Sequence, residues 1–131
     1  MARALILHNP VARNAPAPAL LASIRWELRL AGFLEDEVGS RARGDLTTLA
    51  RAGAQDGFDR VVICGGDGSV REAAEGMRGS LVPLAVVPLG TANVLAREMG
   101  LPCERPLTCA ALAGRGKPRP VGLGTVNGVT F

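Results

Sequence analysis

The chain has 131 residues, a single-domain length, and is 47% hydrophobic but only 3% aromatic, so any core must be built from Ala, Val, Leu and Ile. Its net charge of +3 comes almost wholly from arginines, with Lys117 the one lysine. These are interspersed with acids along helical stretches, a pattern that speaks against nucleic acid and suits a phosphate-bearing ligand or an anionic membrane surface. Cys64, Cys103 and Cys109 have no Cys-x-x-Cys spacing and no neighbouring His, which argues against zinc and against a disulfide framework. No apolar run approaches the roughly 18 residues of a membrane span, and no signal peptide is legible, so the expected location is cytoplasmic.

In chain order, Leu5-Ile6-Leu7 is a buried strand stopped by Asn9-Pro10. Residues 17–31 carry Leu20, Leu21, Ile24, Leu28 and Ala31 at helical spacing, with Gly32 as the stop and Trp26 at the edge of the apolar stripe. Residues 33–38 read as a second strand. A helix over 45–55 is expected, with Asp45 as its N-cap. Val61-Val62-Ile63-Cys64 is apolar on both faces, the mark of a strand covered on both sides. Further helices are expected over 70–77, 92–99 and 107–113, the last stopped by Gly114, with a strand at 84–87. This alternation predicts an α/β fold, a three-layer parallel sheet with ligands at the carboxyl ends of its strands. Past Arg119 the texture changes. Residues 121–131 read as strand, Asn127-Gly128 turn and strand. The expected division is therefore an α/β domain over 1–120 and, over 121–131, the opening strands of a truncated second domain.

Chemistry concentrates in two loops. Gly65-Gly66-Asp67-Gly68-Ser69 joins a strand to a helix. Its glycines let backbone approach a ligand, and the amides of the following helix start would face a phosphate. An aspartate there would repel phosphate unless a magnesium ion bridges them, directly or through water. The plainer alternative is a capping box from Ser69 to Glu72. This loop is neither a Walker A sequence nor the dinucleotide fingerprint. Pro88-Leu89-Gly90-Thr91-Ala92-Asn93 repeats the arrangement on the next unit, with Thr91 able to cap the helix and Asn93 in its first turn. His8 and Cys64 read as structural residues.

These paired motifs, with Asn9-Pro10 after the first strand, resemble the catalytic domain of diacylglycerol kinases, a family that includes sphingosine and ceramide kinases. The resemblance implies a two-domain enzyme. An N-terminal domain binds Mg-ATP, and a β-sandwich binds lipid and supplies further acids, the general base among them. It implies nucleotide contacts from Asn9, Pro10, Arg13, Gly65, Gly66, Asp67, Gly68, Ser69, Glu72, Gly90, Thr91 and Asn93. Ser40 falls where the family has a nucleotide-contacting Thr ahead of a Gly-Asp pair, here Gly44-Asp45. Asp67 is the expected catalytic and magnesium-holding residue. The implied partners are ATP and a lipid alcohol at the inner face of a membrane, with a homo-oligomer left open. Two departures stand out. The first loop reads Val11-Ala12-Arg13-Asn14, with Arg13 as its cation, and Val94-Leu95 replaces the family's Asp-Phe after Asn93. NAD kinase and phosphofructokinase share a Gly-Gly-Asp-Gly loop, so an NAD kinase-like or other small-molecule kinase is one alternative. A catalytically incomplete nucleotide-binding fragment is the other.

Overall fold

A computed structural model describes residues 2–118, 125–126 and 129–130. The order is β1 (Ala2–His8), α1 (Pro18–Leu30), β2 (Phe33–Gly39), α2 (Asp45–Gln55), β3 (Arg60–Gly65), α3 (Asp67–Met77), β4 (Leu84–Pro88), α4 (Val94–Glu98), α5 (Pro106–Arg115), β5 (Thr125–Val126) and β6 (Val129–Thr130). The first four strands form one parallel sheet in the order β2-β1-β3-β4. β5 and β6 pair antiparallel, Thr125 with Thr130. The Asn127-Gly128 turn and residues 121–124 expected there lie outside the described residues.

The period of two along a strand sorts the core into two faces. Leu5, Leu7, Val61, Ile63 and Val86 pack with Leu46, Ala50, Val70, Ala73 and Met77 of α2 and α3. Ala4, Ile6, Val62, Cys64 and Val87 pack with Ile24 and Leu28 of α1 and Cys109, Ala110 and Ala113 of α5. Both faces of the sheet are therefore covered, as the unbroken apolar strands require. Ile24 and Leu28 are fully buried, each contributing about 2 kcal/mol of apolar burial. Trp26 stands 62% exposed, outside the packed stripe.

β2 is an edge strand, and on its face toward α1 two acids, Glu35 and Glu37, follow Phe33. Arg29 grips Glu35 (Nε to Oε1, 3.0 Å), and Arg25 donates to Glu37. Hydrogen bonding to Arg29 holds the Glu35 carboxyl below its ordinary range, against a smaller opposing effect of burial. Burial pushes Glu37 up, but His8 and Arg25 together outweigh it and the net shift is downward. A carboxyl depressed in the folded state stabilises the fold above its unfolded value and loses that contribution as pH falls through the folded one. Thermal unfolding should thus show this contribution in full above about pH 4.5, the ordinary carboxyl value, and falling away below it. Arg29→Met should flatten that fall.

Several helix ends differ from expectation. Asp45 is not an N-cap. Gly44 takes that position in the left-handed region (φ 87°), and the Asp45 carboxylate instead accepts the Arg41 and Ala42 amides at 2.8 and 2.9 Å. α3 starts at Asp67, ahead of the expected Val70, with Gly66 as its N-cap. Ser69 therefore lies inside the helix, and the capping box does not form. α4 begins only at Val94, and Asn93, not Thr91, holds its N-cap position. α5 runs through Gly114, where a Cβ would meet the Glu27 carbonyl oxygen of α1 at 2.5 Å.

Candidate active site at the carboxyl ends of the strands

Four loops meet at the carboxyl edge of the sheet. The first leaves β1 at His8, which is 6% exposed. His8 Nε2 lies 3.1 Å from Glu37 Oε2, the structural role read from sequence. Asn9 Oδ1 accepts the Val11 amide at 3.1 Å, curling the loop back on itself. Pro10 packs against Gly39, where a Cβ would lie 3.1 Å from its ring. The Ser40 amide then donates to the His8 carbonyl at 2.8 Å, so Pro10 and Ser40 flank one point, and Ser40 is buried.

The third and fourth loops touch. The Leu89 amide donates to the Gly65 carbonyl at 2.9 Å. A Cβ on Gly90 would sit 2.7 Å from Gly66 Cα and 3.0 Å from Asn93 Oδ1. Only glycines permit this backbone contact. Asn93 clasps Gly90: its Oδ1 accepts the Gly90 amide at 2.9 Å, and its Nδ2 donates to the Gly90 carbonyl at 2.8 Å. Asp67 crosses in the other direction, its Oδ1 accepting the Val94 amide at 2.7 Å.

Between the first and third loops lies a cleft of about 220 Å³ lined by Asn9, Arg13, Gly65, Gly66, Gly68 and Ser69. Its floor is Cys64, whose thiol is pushed up to about 12 by burial and then by the charge of Glu37. That thiol stays protonated and is no nucleophile. The opening amides of α3 have no helical acceptor, and they sit at the positive end of the helix dipole. A Cβ built on Gly68 would meet nothing within 4 Å, so the cleft is open at that point. The geometry suits a phosphate chain. Among the described residues no three His, Cys, Asp or Glu side chains cluster as a metal cage. Asp67 alone, its Oδ2 without a partner among the described residues, still fits magnesium, which is commonly held by one or two carboxylates plus phosphates and waters.

The residues singled out from sequence thus divide. Asn9, Arg13, Gly65, Gly66, Gly68 and Ser69 share the cleft. Asp67, Gly90 and Asn93 stand beside it rather than in its lining: Gly90 approaches Gly66, Asn93 clasps Gly90, Asp67 bonds Val94, and Thr91 is exposed beyond Gly90. Glu72 turns toward the second loop, its Oε1 accepting the Gly44 amide at 3.0 Å. Ala12, within the Asn9 to Arg13 run expected at the nucleotide, also lines the cleft; Asn14 and Ala15 do too, and sequence reasoning missed these two. Polar Asn14 beside Arg13 was the available signal.

The family model of the diacylglycerol kinase catalytic domain matches residues 3–126. The chain belongs to the diacylglycerol kinase catalytic domain family. It is 33% identical to a diacylglycerol kinase of Bacillus subtilis, over all of this chain and 44% of that protein. It is 38% identical to a Pseudomonas aeruginosa protein named "Probable lipid kinase YegS-like", over 97% of this chain and 41% of that protein. A crystal structure of a diacylglycerol kinase from Bacillus anthracis superposes with a TM-score of 0.83 at 29% identity, covering 98% of this chain and 44% of that one. The chain therefore spans less than half the length of these relatives. The family's three-layer α/β fold, expected from the motifs, is the fold observed.

The Gly66–Gly90 contact makes a prediction. Gly90→Ala should wedge the two loops apart and weaken binding of a phosphate-chain ligand such as Mg-ATP by about tenfold or more, with a smaller loss of stability. Calorimetric titration would check it, and unchanged affinity would show that the contact is incidental to the site.

Proposed function

We propose that this chain is the nucleotide-binding half of an ATP-dependent lipid kinase. Residues 1–120 hold Mg-ATP, and residues 121–131 open a lipid-binding domain. One observation carries the reading: two strand-to-helix glycine loops meet at Gly66 and Gly90 beside an open cleft, with the Asp67 carboxylate held at the junction. The names of the relatives, diacylglycerol kinase and lipid kinase, support a lipid alcohol as acceptor.

On this reading the chain's work is positioning and charge balance. The opening amides of α3 receive phosphate oxygens, and Arg13 supplies the cation that the first loop otherwise lacks. Asn9 and Pro10 shape that loop. Ser40 and Glu72 border the nucleotide through the second loop, and Thr91 steadies it from the fourth. Magnesium bound at Asp67 supplies neutralisation of charge on the transferring phosphoryl group. The general base and the choice of lipid belong to the second domain. The 131 residues alone therefore bind nucleotide without turning it over. No helix among the described residues is long and apolar enough to cross a membrane, which is compatible with a cytoplasmic enzyme meeting lipid at the inner membrane face.

The test is transfer of labelled γ-phosphate from Mg-ATP by the native protein to a panel of diacylglycerol, sphingosine, ceramide, NAD and fructose 6-phosphate. Label in a lipid supports the proposal. Label in NAD or sugar, or none at all, defeats it.

A further inference from the structure

Asn93 is the one described non-glycine residue with positive φ (52°), and it is 5% exposed. Asn adopts the left-handed region at lower cost than other side chains. Its amide is engaged at both ends by the Gly90 backbone, at 2.9 and 2.8 Å. The left-handed turn at Asn93 delivers the next amide, that of Val94, to Asp67 Oδ1 at 2.7 Å. Asp67 itself is exposed and carries no other partner among the described residues. A surface carboxylate with nothing to hold it samples several rotamers; this one is fixed at one oxygen, and the other is left over.

We propose that Asn93 is a positioning residue for Asp67. It clamps Gly90, sets the left-handed turn, and thereby aims the Val94 amide that fixes the Asp67 carboxylate with Oδ2 turned out for a divalent cation. Both ends of its amide are taken up by Gly90. Asn93 acts on metal affinity through two backbone groups, one on each side of it. The inference rests on the reading of Asp67 as the metal-bearing carboxylate, and it assigns a residue on the β4–α4 loop to a function exercised on the β3–α3 loop. It also accounts for the departure at Val94: the side chain at that position is exposed and apolar, and the group in use there is its backbone amide.

The experiment uses the native protein with Asn93→Ala and Asn93→Gly. Two quantities are read: the magnesium concentration giving half-maximal rate, and Mn2+ binding to the protein–ADP complex by electron paramagnetic resonance. Asn93→Ala is expected to weaken both by about tenfold, while the ATP KM at saturating magnesium moves by less than about threefold. Asn93→Gly keeps the left-handed backbone and loses only the amide clamp, so it should fall between. A uniform drop in kcat with unchanged metal dependence would reduce Asn93 to a structural residue and overturn the proposal. A raised ATP KM at every magnesium concentration would overturn it in favour of direct nucleotide contact. If the wild-type protein transfers no phosphate to lipid, the lipid kinase reading falls, and the Mn2+ measurement still decides the role of Asn93.

Discussion

Asp67→Asn is expected to leave the melting temperature nearly unchanged and to lower phosphoryl transfer by about a thousandfold. The asparagine keeps an oxygen where Asp67 Oδ1 now accepts the Val94 amide, so the end of α4 stays capped. What it removes is the negative charge proposed to hold magnesium. Asp67→Ala should lose the same activity and, in addition, about 1 kcal/mol of stability, because the Val94 amide is left without its acceptor. Measured together, the two variants separate the charge from the cap. A tenth or more of wild-type turnover in Asp67→Asn would remove Asp67 from the chemistry.

Gly76→Ala carries the largest expected cost to the fold. Gly76 is buried in α3, where a Cβ would lie 2.2 Å from the Thr47 carbonyl oxygen and 3.0 Å from both Ala50 Cβ and the Arg51 amide nitrogen of α2. Two of those three atoms are backbone and cannot rotate away. The helices must separate, disturbing the contact between Thr47 Oγ1 and the Glu72 carbonyl at 2.9 Å. A loss of about 3 kcal/mol, or roughly 10 °C in melting temperature, is expected despite the better helix propensity of alanine. A melting temperature within about 2 °C of wild type would mean that α2 and α3 can slide apart freely.

The parallel sheet was legible because β1, β3 and β4 are covered on both faces and so read as unbroken apolar runs, as at Val61 to Cys64. The two glycine loops were legible because strand, glycine and helix follow one another twice. Less was visible wherever a distant residue decides the local outcome. α3 opens on Asp67 and Gly68, poor interior helix formers, and the carboxylate of that first residue is engaged by Val94 of the next unit. Gly114 looks like a helix stop in sequence. In the fold it is the point where α5 lies against the Glu27 backbone of α1, and the helix passes through it. Glu72 fits a capping box by spacing, yet the Gly44 amide from the preceding loop takes its carboxylate. Asn93 gave no sign of its left-handed backbone, since one asparagine in a helix start suits a cap, a ligand contact or a turn equally well. The loops that meet at the cleft were therefore readable in their residue types, and the way they brace one another was not.

The most direct measurement is an amide NMR titration of the 13.5 kDa chain with Mg-ATP. Shifts are expected to concentrate at Asn9, Arg13, Gly66, Gly68, Ser69, Gly90 and Thr91, and to weaken when magnesium is withheld. Shifts centred instead on the outer edge of β4, or none at millimolar Mg-ATP, would contradict the proposed Mg-ATP site.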